Sequence, residues 1–93
     1  MEAKTYKLLL VEDDTSLGYL LTEYLGMKGF DLRWIQAPSE VMPLLEQRAF
    51  DLVILDVMMP GMSGLEVLRA IRRDHRMGEL PVIMVTALGD SED

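Results

Sequence analysis

Four polar residues stand where apolar runs stop. Glu12 and Asp13 follow KLLLV (7–11), Asp56 closes DLVILD (51–56), and Thr86 lies near the end of LPVIMVTA (80–87). A short continuous apolar run of this kind reads as a strand buried on both faces, and its last residue is delivered to the carboxyl edge of a sheet. If the strands ending at Val11 and Asp56 are neighbours, Glu12, Asp13 and Asp56 converge in one shallow pocket. Like charges that close are costly unless a cation neutralises them. The donor set is all oxygen, without His or Cys, which selects a hard ion. Mg²⁺ fits, since it needs one or two direct carboxylates, with waters and a phosphate oxygen completing its shell. Taken singly, each acid is better read as a solvated loop residue or a helix cap. Jointly, matched oxygen chemistry at several strand ends points to a site.

The elements that must position these residues alternate. After the strand at 7–11, Leu17, Leu20, Leu21, Tyr24 and Leu25 recur at helical spacing, with Asp14 or Thr15 as cap and Gly29 as stop. FDLRWIQ (30–36) sets Phe30, Leu32 and Trp34 against Asp31, Arg33 and Ile35, the pattern of an edge strand with one apolar face. Trp34 is expected to pack under a helix. Residues 38–48 suggest a helix through Val41, Leu44 and Leu45 in which Pro43 either kinks the axis or delays its start. A strand at 51–56 follows. Ser63 and Glu66 then form a capping box for a helix whose expected inner face is Leu65, Leu68 and Ile71, with Arg69, Arg72 and Arg73 as a solvated basic end. A strand at 80–87 precedes Asp90 or Ser91, either a cap for a further helix. Strands alternating with helices in this way predict right-handed βαβ units and a parallel sheet covered on both faces.

Composition narrows the class. The chain has 93 residues and no cysteine, so it carries neither a disulfide framework nor a thiolate metal site. MEAKTYK lacks the apolar core of a signal peptide, and no apolar run approaches membrane-spanning length, which makes a cytoplasmic location the expectation. A net charge of −7 disfavours direct contact with nucleic acid. His75, the sole histidine, follows RRD and reads as an exposed helix-terminal residue rather than a phosphate relay or metal ligand. Met59 is expected to fill the core beneath the loop that holds Met58 and Met62.

The set LLLVEDD (8–14), DLVILDVMMPGMSGLE (51–66) and PVIMVTA (81–87) resembles, in order and spacing, the receiver domain of bacterial two-component response regulators. The D-x-M-M-P-x-M-x-G segment is its most specific part, and the resemblance runs over the whole chain. It implies one receiver domain over residues 1–93 with a flavodoxin-like, doubly wound parallel sheet in strand order 2-1-3-4. The fifth strand and last helix would be lacking, the chain breaking off near the start of the fourth helix. By position, Asp56 would accept a phosphoryl group from the phosphohistidine of a sensor histidine kinase. Asp13 and Asp56 would bind Mg²⁺ directly, Glu12 through water, and the backbone carbonyl of Met58 would complete the protein's share. Thr86 would contact the phosphoryl group and act as the switch, with small Ala87 leaving room for the movement. Pro60 and Gly61 would turn the chain away from the site, and Gly64 would permit close backbone approach.

The resemblance further implies a signalling domain rather than an enzyme, one that assists its own phosphotransfer and dephosphorylation and drives an output domain or target, most simply a transcriptional one. The family's lysine after the fifth strand and its aromatic switch residue would fall beyond residue 93, so neither is assigned, and none of the three lysines, Lys4, Lys7 and Lys28, lies after a late strand. An aspartate-nucleophile phosphatase of the dehalogenase type would want an acid at position 58, where Met stands. An assembly fragment with vestigial chemistry is the other alternative. The apolar fourth strand leads to the expectation of a homodimer or a strand-exchanged oligomer.

Overall fold

A computed structural model describes residues 4–59, 61–74 and 76–85. Four strands, β1 (Lys7–Val11), β2 (Asp31–Ile35), β3 (Leu52–Asp56) and β4 (Val82–Val85), form one parallel sheet in the order β2-β1-β3-β4. Helices α1 (Thr15–Met27), α2 (Val41–Gln47) and α3 (Gly64–Arg73) connect them. This is the doubly wound arrangement expected from the sequence, and it brings β1 and β3 side by side in register Val11↔Leu55. Thr86, Ala87, Pro60, His75, Asp90 and Ser91 lie outside the described residues.

Alternation along the central strands divides the apolar residues between the two faces. Leu9, Val11, Val53 and Leu55 enter one core with Ile35, Val41, Leu44, Met59, Val67 and Ile71, so Met59 lies in the core as expected. Leu8 and Leu10 are also buried, which explains why β1 reads as an unbroken apolar run. β2 is an edge strand as expected, but Ile35, placed by simple alternation on its polar side, is its one buried residue. Trp34 and Leu32 stay partly covered on the opposite face. β4 lies at the other edge among the described residues, with Ile83 52% exposed.

The helix ends follow local chemistry. The Asp14 carboxylate, rather than Thr15, caps α1 by accepting from Leu17 N–H at 3.0 Å. At the other end Gly29, at φ +95°, allows Phe30 N–H to reach Leu25 O at 3.2 Å and its own N–H to reach Gly26 O at 3.1 Å, the two bonds of a Schellman stop. Pro43 delays a helix rather than kinking it. A 3₁₀ turn at Pro38–Glu40 precedes α2, which places Pro43 in the first turn, where its missing N–H would have had no intrahelical partner.

α3 differs from its expected orientation. Gly64, Val67 and Ile71 face inward, Leu68 is partly covered, and Leu65 is 49% exposed. The cause is Gly64, since a Cβ there would lie 2.5 Å from the Asp56 carbonyl oxygen and 2.9 Å from Val57 Cα. The helix therefore starts in direct backbone contact with the end of β3, and that contact fixes its rotation. Arg72, expected in solvent with Arg69 and Arg73, instead donates to the carbonyls of Gly78 at 3.0 Å and Leu80 at 2.6 Å. Its guanidinium ties the end of α3 to the chain entering β4.

Two glycines give opposite expected outcomes in urea unfolding. Gly64→Ala loses about 1–3 kcal/mol, because the added methyl meets backbone that cannot turn aside. Gly26→Ala, with nothing within 4 Å of its Cβ, gains about 0.5–1 kcal/mol from lower unfolded-chain entropy and better helix propensity.

Candidate functional site

The sheet topology delivers the acids as the sequence required. Glu12 continues β1 by one residue, its N–H donating to Ile35 O at 3.0 Å, and Asp56 is the last residue of β3. Among the described residues, Glu12, Asp13 and Asp56 form a group in which one carboxylate oxygen from each lies within 4.8 Å of the others. Glu12 is 3% and Asp56 5% exposed, while Asp13 is the most open of the three. Two nearly buried carboxylates from adjacent strands are thus held at a range where their charges repel strongly.

Local bonds fix the carboxylates. Asp56 Oδ1 accepts from Met58 N–H at 3.0 Å, which sets the carboxylate plane while the chain turns out of the strand. Glu12 Oε2 accepts from Asp14 N–H at 3.1 Å. Val57 N–H donates to Val85 O at 2.8 Å, so β4 braces the residue directly after Asp56, and Asp56 itself is in register with Val85. Thr86, the next residue in sequence, lies outside the described residues. The Met58 side chain is 66% exposed.

Electrostatics singles out Glu12 within the cluster. Burial first, then the hydrogen bond and charge of Asp56 and the charge of Asp13, push the Glu12 carboxyl from an ordinary 4.5 up to about 7, against the opposing pull of Asp14 N–H. Protonation is one relief and a divalent cation is another. The donors fit a hard cation by type, by convergence and by their unneutralised charge. A cavity of about 710 Å³ opens at the amino-terminal ends of the strands, lined among others by Lys4, Lys7, Arg33, Arg48 and Asp51, and none of the three acids borders it. Lys4 pairs there with Asp51 at 3.2 Å.

A model of the response regulator receiver domain matches residues 8–93. The chain belongs to this family. Among curated relatives, this receiver domain is 42% identical over 87 residues to the transcriptional regulatory protein CpxR of Escherichia coli strain K12, covering 94% of this chain and 36% of that protein. It is 38% identical over 93 residues to the DNA-binding response regulator MtrA of Mycolicibacterium smegmatis, covering all of this chain and 40% of that one. The receiver chain therefore spans well under half the length of these relatives. Among solved structures, the N-terminal domain of a response regulator receiver protein from Methanoculleus marisnigri superposes with a TM-score of 0.85 at 31% identity, covering 90% of this chain and 68% of that one. The receiver fold, with strand order 2-1-3-4 over the described strands, is shared. Receiver domains of response regulators are signalling domains of two-component systems. No described helix is long and apolar enough to cross a membrane.

Two supports of this receiver site were not foreseen in the sequence. Trp34 donates its indole N–H to Glu12 O at 2.9 Å, and Gln36 donates to Asp13 O at 3.4 Å. An indole or amide on the neighbouring strand carries no spacing signal that links it to a loop more than 20 residues away. The close approach of Gly64 was foreseen, and its contact proves to be with the Asp56 carbonyl itself.

The raised pKa gives a signed pH dependence. The folded chain holds a proton on Glu12 that the unfolded chain releases, so metal-free stability falls as pH rises from about 4.5 to about 7. Thermal melts in chelator should show this fall superimposed on any other titration. Glu12→Gln should flatten it, and Mg²⁺ should raise the melting temperature more at the alkaline end than at the acidic end.

Proposed function

We propose that this receiver is a phosphoacceptor whose Asp56 takes a phosphoryl group from the phosphohistidine of a sensor histidine kinase. The observation that carries the reading is the convergence of Glu12, Asp13 and Asp56 around a nucleophile fixed at the end of a buried strand. In the transfer, a carboxylate oxygen of Asp56 forms the new P–O bond as the P–N bond to imidazole breaks, and the imidazole nitrogen leaves with the electron pair and is reprotonated. An aspartate is a weak nucleophile, so orientation matters: Met58 N–H holds Oδ1, and β3 on both sides of its pairing holds the backbone.

Mg²⁺ would be held directly by Asp13 and Asp56 and through water by Glu12, with the Met58 carbonyl as a further ligand. It would supply positive charge to the phosphoryl oxygens where charge develops. Glu12 would keep the neighbouring acids oriented and carry the proton when no cation is bound. Thr86 would donate its hydroxyl to a phosphoryl oxygen and register the modification. The domain assignment extends to the whole of residues 1–93.

The output reading rests on the roles of the relatives, a transcriptional regulatory protein and a DNA-binding response regulator. With a net charge of −7, this segment would act on such an output domain rather than on DNA itself. A cytoplasmic location follows from that role. A homotypic contact has its own support in the half-exposed Ile83 on β4, an edge strand among the described residues.

Intact mass after incubation with a small-molecule phosphodonor tests the chemistry. The expected result is a single phosphoryl adduct that requires Mg²⁺ and is absent from Asp56→Asn, with Asp13→Asn strongly reduced. An adduct that forms equally without Mg²⁺, or on Asp56→Asn, would refute the assignment.

A further inference from the structure

The acidic loop is held from β2 as well as from its own strand. Glu12 uses both of its backbone groups on that neighbour: its N–H donates to Ile35 O at 3.0 Å and its carbonyl accepts from Trp34 Nε1 at 2.9 Å. Gln36 reaches the next carbonyl, that of Asp13, at 3.4 Å. The first bond continues the strand ladder. The second does not, and it comes from the chain's only tryptophan.

Trp34 is itself confined. Its ring lies against Gly18, a buried residue of α1, and a Cβ at that position would overlap the indole ring atoms. The ring is therefore wedged between an edge strand and the first helix, and its N–H has one orientation in which to donate. A partly buried indole N–H left without a partner costs free energy, so the ring's packing and its bond to Glu12 favour each other. From Glu12 the connection runs on through Asp14, whose N–H binds Glu12 Oε2 and whose carboxylate caps α1. The Trp34 bond fixes the peptide plane between Glu12 and Asp13, and with it the ψ angle of Glu12 and the φ angle of Asp13 that set how the two residues follow one another around the site.

We propose that Trp34 is a positioning residue for the divalent-cation site: its indole N–H on the Glu12 carbonyl, with its ring locked on Gly18, holds the Glu12–Asp13 peptide in the orientation that points both carboxylates at Asp56. The inference rests on the metal reading above. Groups that orient ligands without touching the metal alter affinity by about 10–100-fold. The coupling is reciprocal, so a bound cation strengthens the Trp34 bond as much as that bond strengthens cation binding.

A single tryptophan gives one indole N–H cross-peak in the ¹⁵N spectrum, which makes the coupling directly readable. On titration of the whole chain with MgCl₂ in the absence of phosphodonor, the backbone amides of Asp13 and Met58 and the Trp34 indole are expected to move with one midpoint, and exchange of the indole proton with solvent should slow. Trp34→Phe keeps an aromatic ring on β2 but removes the donor. It is expected to weaken Mg²⁺ binding about tenfold, read at the Asp13 amide, with a much smaller change in the metal-free melting temperature. A stationary indole signal while Asp13 titrates would overturn the proposal, as would a Trp34→Phe chain that binds Mg²⁺ as tightly as the parent. The indole titration of the parent decides the matter even if the variant folds poorly. Absence of any Mg²⁺ response at Asp13 and Met58 in the parent would instead overturn the metal reading and the positioning role together, which separates that failure from the other two.

Discussion

Two carboxylates, Glu12 and Asp56, are almost wholly removed from solvent on adjacent strands, with a third beside them. That enforced crowding is the constraint on which the rest of the structure depends. Isolated acids would escape it by turning outward, and here they cannot. Glu12 is bonded at both backbone groups, Asp56 is paired through β3 to both neighbouring strands, and the turn that follows spends its first free N–H on Asp56 Oδ1. Burial first, and then the neighbouring acids, leave a raised proton affinity at Glu12, available to whatever cation or proton arrives.

The apolar strands serve this end. Leu9, Val11, Val53 and Leu55 are each completely buried, so the last residues of β1 and β3 have little freedom to shift relative to one another. Gly64 extends the same rigidity to α3, whose first turn rests on the Asp56 carbonyl. A bulkier residue would force the helix away from the strand end and alter both together. Arg72 performs a comparable service at the other end of α3 by gripping two carbonyls before β4, the strand that braces Val57.

Much of this was legible in the sequence because it depends on short-range signals. Continuous apolar runs marked the central strands, their terminal acids marked the site, and Ser63 and Gly29 marked helix boundaries that the structure keeps. What could not be read depends on how elements meet. The rotation of α3 follows from one steric contact at Gly64 that outweighs the larger side chain of Leu65. The burial of Ile35 reflects its position at the end of an edge strand above α2, which alternation alone does not encode. Arg72 looked like one of three equivalent basic residues until the loop ahead of β4 supplied carbonyls for it. Trp34 was recognised as packed under a helix, yet its polar tip gave no warning that it would reach the acidic loop.

Parallel connectivity has one more effect at the acidic edge. Every helix that follows a strand must begin at that strand's carboxyl end, so α1 starts immediately after Glu12 and Asp13, and α3 starts with Gly64 N–H 3.2 Å from Val57 O. Each helix start carries a macrodipole equivalent to about half a positive charge, arising from peptide groups rather than from ionisable side chains. Two such ends beside the same carboxylates provide a background potential that chelation cannot strip away and that titration leaves untouched. The acids therefore meet an incoming ion against a partly compensated field, set by the direction of the chain itself.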